Sequence, residues 1–271
     1  MIIGNREFDP HSHIYVCGIL NITPDSFSDG GSYTSLDRAL YRVQEMVQEG
    51  VDLLDIGGES SRPGYTPVSE EEEMERVLPV LEAVKREFYL PVSLDTCKAK
   101  VAQEGIRAGA DMINDIWGLQ KDPQMGSVIA KGQVACCLMH NRATHQYQNF
   151  VEEVVGDLKQ ILKTAKEAGI SEDKIILDPG VGFGKEYHHN LLVLKEFREF
   201  TKLGYPLLLG VSRKSVIGLT LKVETDERMA GSLAAAVAGM VRGCSFLRVH
   251  DVKEHVHAVR MIEAIREVQS Q

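Results

Sequence analysis

From residue 14 onward, short apolar runs alternate with stretches whose apolar positions recur every three to four residues. Runs at 14–20, 52–56, 91–94, 112–114, 134–139, 174–177, 207–211 and 245–249 have the length and leucine and β-branched content of buried strands. Between them, Leu36, Leu40, Val43 and Val47 share one helical face, as do Met74, Val77, Leu81, Val84 and Phe88. Val151, Val154, Leu158, Ile161, Leu162 and Ala165 repeat the pattern, then Leu191, Leu194 and Phe197, and finally Val252, Val256, Val259 and Ile262. Ser69-Glu70-Glu71-Glu72 reads as a capping box, in which the serine hydroxyl and the Glu72 carboxylate each satisfy a backbone N–H. Thr225-Asp226-Glu227 reads as a second helix start, with a cap and two acids at the positive end of a helix dipole. Gly50, Gly109, Gly169 and Gly204 follow helical patterns and predict left-handed residues just past the helix ends. Eight strand–helix units in about 250 residues predict an α/β fold, a (β/α)8 TIM barrel. The whole of 1–271 forms that one domain in this reading, with residues 1–13 a short N-terminal cover for the barrel floor. A doubly wound open sheet is the alternative.

The strand patterns end on polar residues. Asn21, Asp55, Asp95, Asn114 and Asp178 follow the first, second, third, fourth and sixth runs, and in a barrel those ends form the catalytic face. In Leu177-Asp178-Pro179-Gly180-Val181-Gly182-Phe183-Gly184-Lys185 a strand stops at a carboxylate, and proline and three glycines then break the backbone. Carboxylates and amides in such a set suit a flat heterocycle rich in N–H donors and ring acceptors. A carboxylate accepts two parallel hydrogen bonds, and an asparagine both donates and accepts. Arg213 and Lys214 after the seventh run, Arg248 at the eighth and Arg62 after the second bring cations to the same rim. An anionic leaving group would be stabilised there. His140 and His250 are the two histidines at predicted strand ends. The connections 23–31 and 57–67 are long and rich in Gly and Pro, and predict loops that close over a substrate.

Composition narrows the partners. A formal net charge of −9 on 271 residues argues against a nucleic-acid or anionic-membrane surface, which would select a basic footprint. No run reaches the roughly 18 apolar residues of a membrane span, and residues 1–12 lack the apolar centre of a signal peptide. The expectation is a cytoplasmic protein. The five cysteines, Cys17, Cys97, Cys136, Cys137 and Cys244, form no CxxC pair and read as buried thiols in a reducing compartment. Both nucleotide motifs fail: Lys185 is followed by Glu186 rather than Ser or Thr, and no G-x-G-x-x-G follows the first strand.

The residues 20–31, Leu-Asn-Ile-Thr-Pro-Asp-Ser-Phe-Ser-Asp-Gly-Gly, closely resemble the first signature of the dihydropteroate synthases, and Asp55 through Gly64 resembles the second. Asp178 through Lys185, Ser212-Arg213-Lys214-Ser215 and Arg248-Val249-His250-Asp251-Val252 complete the pattern in order over residues 14–268. The resemblance implies a barrel that condenses 6-hydroxymethyl-7,8-dihydropterin diphosphate with p-aminobenzoate, giving 7,8-dihydropteroate and diphosphate in folate biosynthesis. It implies that Asp95, Asn114, Asp178 and Lys214 hold the pterin, with Asp55 in the same substrate-binding set. Met139 and Phe183 would flank the ring and Arg248 would stack near it. Asn21 would ligate or orient Mg2+ on the diphosphate, assisted by Arg62, His250 and Asp25. Phe27, Ser61, Pro63 and Ser215 would line the aminobenzoate pocket. Asp95, Lys214, Arg62, Asp25 and Asp29 are then the catalytic set.

A pterin-dependent methyltransferase, a pterin-binding paralogue without catalysis and a lyase using Lys214 as a Schiff base are the rival readings. Trp117 departs from the family pattern, where a small residue is expected. The segment Met229–Met240 is apolar nearly all round, which suggests one face on the barrel and one on a second subunit of a homodimer.

Overall fold

Residues 1–22, 35–59 and 67–268 are described by the structure, a computed structural model. The chain opens with an antiparallel hairpin of β1 (Ile2–Ile3) and β2 (Arg6–Glu7). Eight parallel strands follow: β3 (Tyr15–Asn21), β4 (Leu53–Gly57), β5 (Val92–Asp95), β6 (Met112–Asp115), β7 (Ala135–Met139), β8 (Ile175–Asp178), β9 (Leu208–Leu209) and β10 (Phe246–Val249). Each falls within a residue or two of a predicted run. They lie in the order β8-β7-β6-β5-β4-β3-β10-β9, and a parallel bridge from Leu207 to Leu177 brings the last edge back to the first. That is the closed barrel rather than the open sheet. Around it run α1 (Ser35–Glu49), α2 (Glu70–Glu87), α3 (Ala99–Arg107), α4 (Met125–Gly132), α5 (Phe150–Glu167), α6 (Tyr187–Lys195), α7 (Phe197–Thr201), α8 (Ser215–Leu221), α9 (Met229–Met240) and α10 (Val252–Glu267).

Alternation along the strands divides the apolar side chains into two layers. Val16, Leu20, Leu54, Ile56, Leu94, Ile113, Cys136, Leu138 and Leu177 face outward into the core shared with the helices. Tyr15, Cys17, Leu53, Met112, Ala135, Cys137, Ile176, Leu208 and Phe246 fill the lower barrel with Ile3 and Phe8 of the N-terminal segment. Phe8 lies edge-on to Tyr15, ring centres 4.7 Å apart, and the Asp9 N–H donates to the Tyr15 hydroxyl at 2.7 Å. The predicted floor cover is therefore a packed plug. All five cysteines are free and buried, and the neighbours Cys136 and Cys137 point into opposite layers.

Four local expectations are corrected. Val47 is exposed and Met46 buried instead, because the Met46 sulfur occupies the space that a side chain on Gly18 would take. Ser69 caps α2 by accepting the Glu72 N–H at 3.1 Å, but the Glu72 carboxylate pairs with Arg76 rather than closing a capping box. Thr225–Glu227 form a separate 3-10 turn ahead of α9, without a side-chain cap. In α6 the inward residues are His189, Asn190 and Val193, and Leu191 is exposed. Two polar contacts turn that face: His189 stacks on Phe150, and the Asn190 amide oxygen accepts the Gly182 N–H at 2.6 Å. The predicted left-handed glycines hold, with φ of +94° at Gly50, +107° at Gly109, +86° at Gly169 and +81° at Gly204.

Candidate active site

Two residues beyond each inward apolar side chain, the barrel interior becomes polar. Asp55 follows Leu53, Asn114 follows Met112, Asp178 follows Ile176 and Arg248 follows Phe246. Asn21, Gly57, Asp95 and Asn114 are successive register partners across β3 to β6, so their side-chain positions face the same interior.

One cluster is centred on Arg248. Its Nε donates to Asp55 Oδ2 at 2.5 Å and its Nη2 to Asp95 Oδ2 at 2.7 Å. Asn114 Nδ2 donates to the same Asp55 oxygen at 3.2 Å. Burial opposes the guanidinium charge, yet the two carboxylates raise its pKa overall. Burial pushes the Asp95 carboxyl up to about 7, with Arg248 pulling the other way. The other oxygen of Asp55, Oδ1, is buried without a hydrogen-bond partner among the described residues.

A second cluster joins Asp178 and Lys214. Asp178 Oδ1 accepts the Gly180 N–H at 2.7 Å, and burial raises its pKa against the attraction of Lys214. The Lys214 ammonium donates to the Val181 carbonyl and lies 4.5 Å from the centre of the Phe183 ring, within cation–π range. Burial lowers its pKa to about 8, with Asp178 opposing. Gly210 lies between the clusters: a Cβ there would stand 3.7 Å from Lys214 Nζ, 3.8 Å from Arg248 Cβ and 3.8 Å from Asp178 Oδ2. Glycine keeps its own side chain out of that space. Met139, buried, is the register partner of Asp178.

The loops after β9 and β10 are tied together. Ser212 Oγ accepts the His250 N–H at 3.2 Å and lies 3.2 Å from His250 Nδ1. Arg213, at φ +57°, makes a bidentate pair with Asp251, its Nε at 2.9 Å. Ser232 Oγ accepts its N–H at 2.9 Å, and Arg228 donates to its carbonyl at 3.0 Å. Arg213 thus holds the backbone that presents Lys214, and the expectation that it joins the rim as an anion ligand is corrected. His140 is likewise not a rim group: it is fully buried and faces Asp157 on α5.

The structure therefore brings together Asp55, Asp95, Asn114, Met139, Asp178, Phe183, Lys214 and Arg248. Asn21 lies exposed at the end of β3, His250 is half-buried, and Ser215 is exposed as the first residue of α8. Phe27, Asp25, Asp29, Ser61, Arg62 and Pro63 lie outside the described residues. Asn21 Oδ1 and Asp95 Oδ2 approach a common space over Gly57, 3.8 and 3.7 Å from where its Cβ would stand. Such hard oxygen donors fit Mg2+. Ser212 and Asp115 were not singled out as structural supports by their sequence context. The buried Asp115 carboxylate accepts the N–H groups of Trp117 (2.9 Å) and Leu119 (2.7 Å), fixing the loop after β6. That loop is where the unexpected Trp117 is accommodated.

Comparison with known proteins agrees with this fold. The family model described as "Pterin binding enzyme" matches residues 17–250. A dihydropteroate synthase of Clostridium beijerinckii is 51% identical over 266 residues, covering 98% of this chain and 99% of that one. The crystal structure of a dihydropteroate synthase from Clostridium difficile, in the presence of pteroic acid, superposes with a TM-score of 0.94 at 46% identity, covering 97% and 100% of the two chains. One from Xanthomonas albilineans with 4-aminobenzoic acid gives 0.91 at 42% identity, covering 95% and 94%. The chain belongs to the pterin binding enzyme family, and within it to the dihydropteroate synthases.

Proposed function

We propose that the chain condenses 6-hydroxymethyl-7,8-dihydropterin diphosphate with p-aminobenzoate, releasing diphosphate and forming 7,8-dihydropteroate. The observation that carries this reading is the pair of facing clusters around Gly210, Asp55–Asp95–Asn114–Arg248 and Asp178–Lys214. The Asp178 carboxylate accepts the paired N–H groups of the amino-pyrimidinone edge, and Asn114 meets a ring nitrogen or N–H. Lys214 donates to a ring acceptor, and Met139 and Phe183 cover the two faces. Asp95, at the tip of β5, stabilises positive charge as the C–O bond to diphosphate breaks. The arylamine nitrogen then forms the C–N bond and loses one proton to water or to the departing diphosphate. Its lone pair is free at neutral pH, so the protein needs to hold it in line rather than activate it.

Mg2+ would neutralise charge on the departing diphosphate, and Asn21 is the residue that would hold it. Arg62 and His250 assist at that anion and Asp25 at its cation, while Phe27, Ser61, Pro63 and Ser215 receive the arylamine. The five buried free thiols suit a reducing, cytoplasmic setting, and no helix among the described residues is long and apolar enough to cross a membrane. The chain pairs as a homodimer through α9, the nearly all-apolar segment Met229–Met240, of which Ser232, Ala236, Gly239 and Met240 are the residues buried within the chain. Sedimentation as a monomer at micromolar concentration would remove the dimer.

The deciding experiment measures diphosphate release from the pterin diphosphate with Mg2+, with and without p-aminobenzoate. Dihydropteroate equal to the diphosphate released, and dependent on the arylamine, is the expected result. Pterin binding without product would leave a non-catalytic paralogue, and methyl transfer from a methylated folate would make it a methyltransferase.

A further inference from the structure

Lys185 ends the glycine-rich loop after β8, and nothing in the condensation above uses it. It is only 6% exposed. Its Nζ donates to the Phe183 carbonyl at 3.0 Å and lies 2.8 Å from His140 Nδ1. His140 Nε2 lies 2.9 Å from Asp157 Oδ2. A carboxylate only accepts, so Nε2 carries the proton and Nδ1 is left to accept from Lys185. Burial and the Lys185 charge keep this imidazole neutral, lowering its pKa to about 3. Asp157 also accepts from Arg142 Nε at 2.6 Å. An unbroken side-chain string thus runs from Arg142, against α5, through Asp157, His140 and Lys185 to the backbone of Phe183.

The loop has no slack where the string meets it. Gly180 and Gly184 have φ of +75° and +56°. A Cβ on Gly180 would stand 2.0 Å from the His140 carbonyl oxygen, and one on Gly184 2.5 Å from that of Arg142. The Tyr147 hydroxyl donates to the Gly184 carbonyl at 2.7 Å. Phe183, fixed from behind, presents its ring 4.5 Å from the Lys214 ammonium.

We propose that Lys185 and His140 are positioning residues: acting on the Phe183 carbonyl, they set the Phe183 ring, and through it Lys214, against the pterin. This rests on the reading of the site as a pterin pocket. A space-filling Lys185 would affect folding alone; a positioning one affects pterin recognition in folded enzyme.

The test uses the full chain with Lys185→Met, which keeps the stem and removes the donors, and Asp157→Asn, at the partly exposed end of the string. Steady-state kinetics in both substrates are combined with calorimetry using 6-hydroxymethylpterin. Lys185→Met is expected to raise the pterin diphosphate KM and the pterin Kd about tenfold, and Asp157→Asn about threefold, with the p-aminobenzoate KM moving less. In a Phe183→Ala background, Lys185→Met is expected to cost less than about twofold, since the two act as a unit. Equal costs in both backgrounds, or losses that only track the folded fraction, would overturn the proposal. If Lys185→Met does not fold, an unchanged pterin Kd in Asp157→Asn overturns it equally. A wild-type chain that binds pterin without making dihydropteroate would defeat the functional reading alone, and the calorimetric comparison would still decide the positioning.

Discussion

The lower and upper halves of the barrel interior stand on the same strands, two residues apart, about 6.6 Å along each. Below, Leu53, Met112, Ile176 and Phe246 pack with Ile3 and Phe8 into a dry plug. Above, Asp55, Asn114, Asp178 and Arg248 occupy the next inward positions, and their contacts are hydrogen bonds and ion pairs. The plug removes apolar surface from water, which stabilises the fold. The charges above stay partly desolvated, which is costly without a ligand. That cost takes the form of burial pushing up the Asp95 and Asp178 carboxyls and lowering the Lys214 ammonium. One strand therefore supplies stability at its middle and chemistry at its tip.

The contrast can be broken first from below. Phe246→Ala is expected to cost about 3–5 kcal/mol of stability through the cavity it leaves, while turnover per folded molecule stays within about twofold. Denaturant titration and active-site counting check both halves, and a large change in pterin affinity would show the layers to be coupled. From above, Asp178→Asn keeps the oxygen that accepts the Gly180 N–H but removes the charge. It is expected to weaken pterin binding about a hundredfold, roughly 2.7 kcal/mol, with the melting temperature unchanged or raised because a buried charge is gone. A lowered melting temperature would make Asp178 part of the structural half.

The pH profile sharpens the comparison further. Asp95, with its pKa raised to about 7, takes up a proton as pH falls and loses its charge toward the pterin cation. Lys214, lowered to about 8, loses its proton as pH rises. A narrow bell is expected, with kcat/KM falling about tenfold per pH unit on the outer limbs. Asp95→Asn should flatten the acid limb, and a profile level from pH 6 to 9 would refute the assignment. The smallest expected effect is from Gly210→Ala: its Cβ makes ordinary contacts, so folding is retained while pterin affinity drops about threefold. Calorimetry would register the change.

Much of this was legible before any coordinates. The pattern of short, buried apolar runs placed the eight strands. It also placed Asp55, Asp95, Asn114 and Asp178 at strand tips. That pattern does not say which tips meet across a closed barrel. The pairing of Arg248 with both Asp55 and Asp95, 193 and 153 residues away, needed the closed ring. Two of the errors share one cause. Helical periodicity ranks faces by apolar content alone, so it missed His189 and Asn190, which turn inward for polar contacts, and Met46, which fills the hollow over Gly18. Arg213 was misread because its charge signalled an anion site, whereas its partner Asp251 belongs to the following loop.

The five buried thiols give the molecule a built-in clock. Burial raises the pKa of every one, so a thiol reagent reacts only when the surrounding structure opens. Cys17 and Cys137 report the inside of the barrel, Cys136 and Cys244 the shell between strands and helices. Cys97, beside Lys121 Nζ at 3.2 Å, reports the region just beyond β5. The order in which they are modified reads the sequence in which the layers come apart, without a single engineered label.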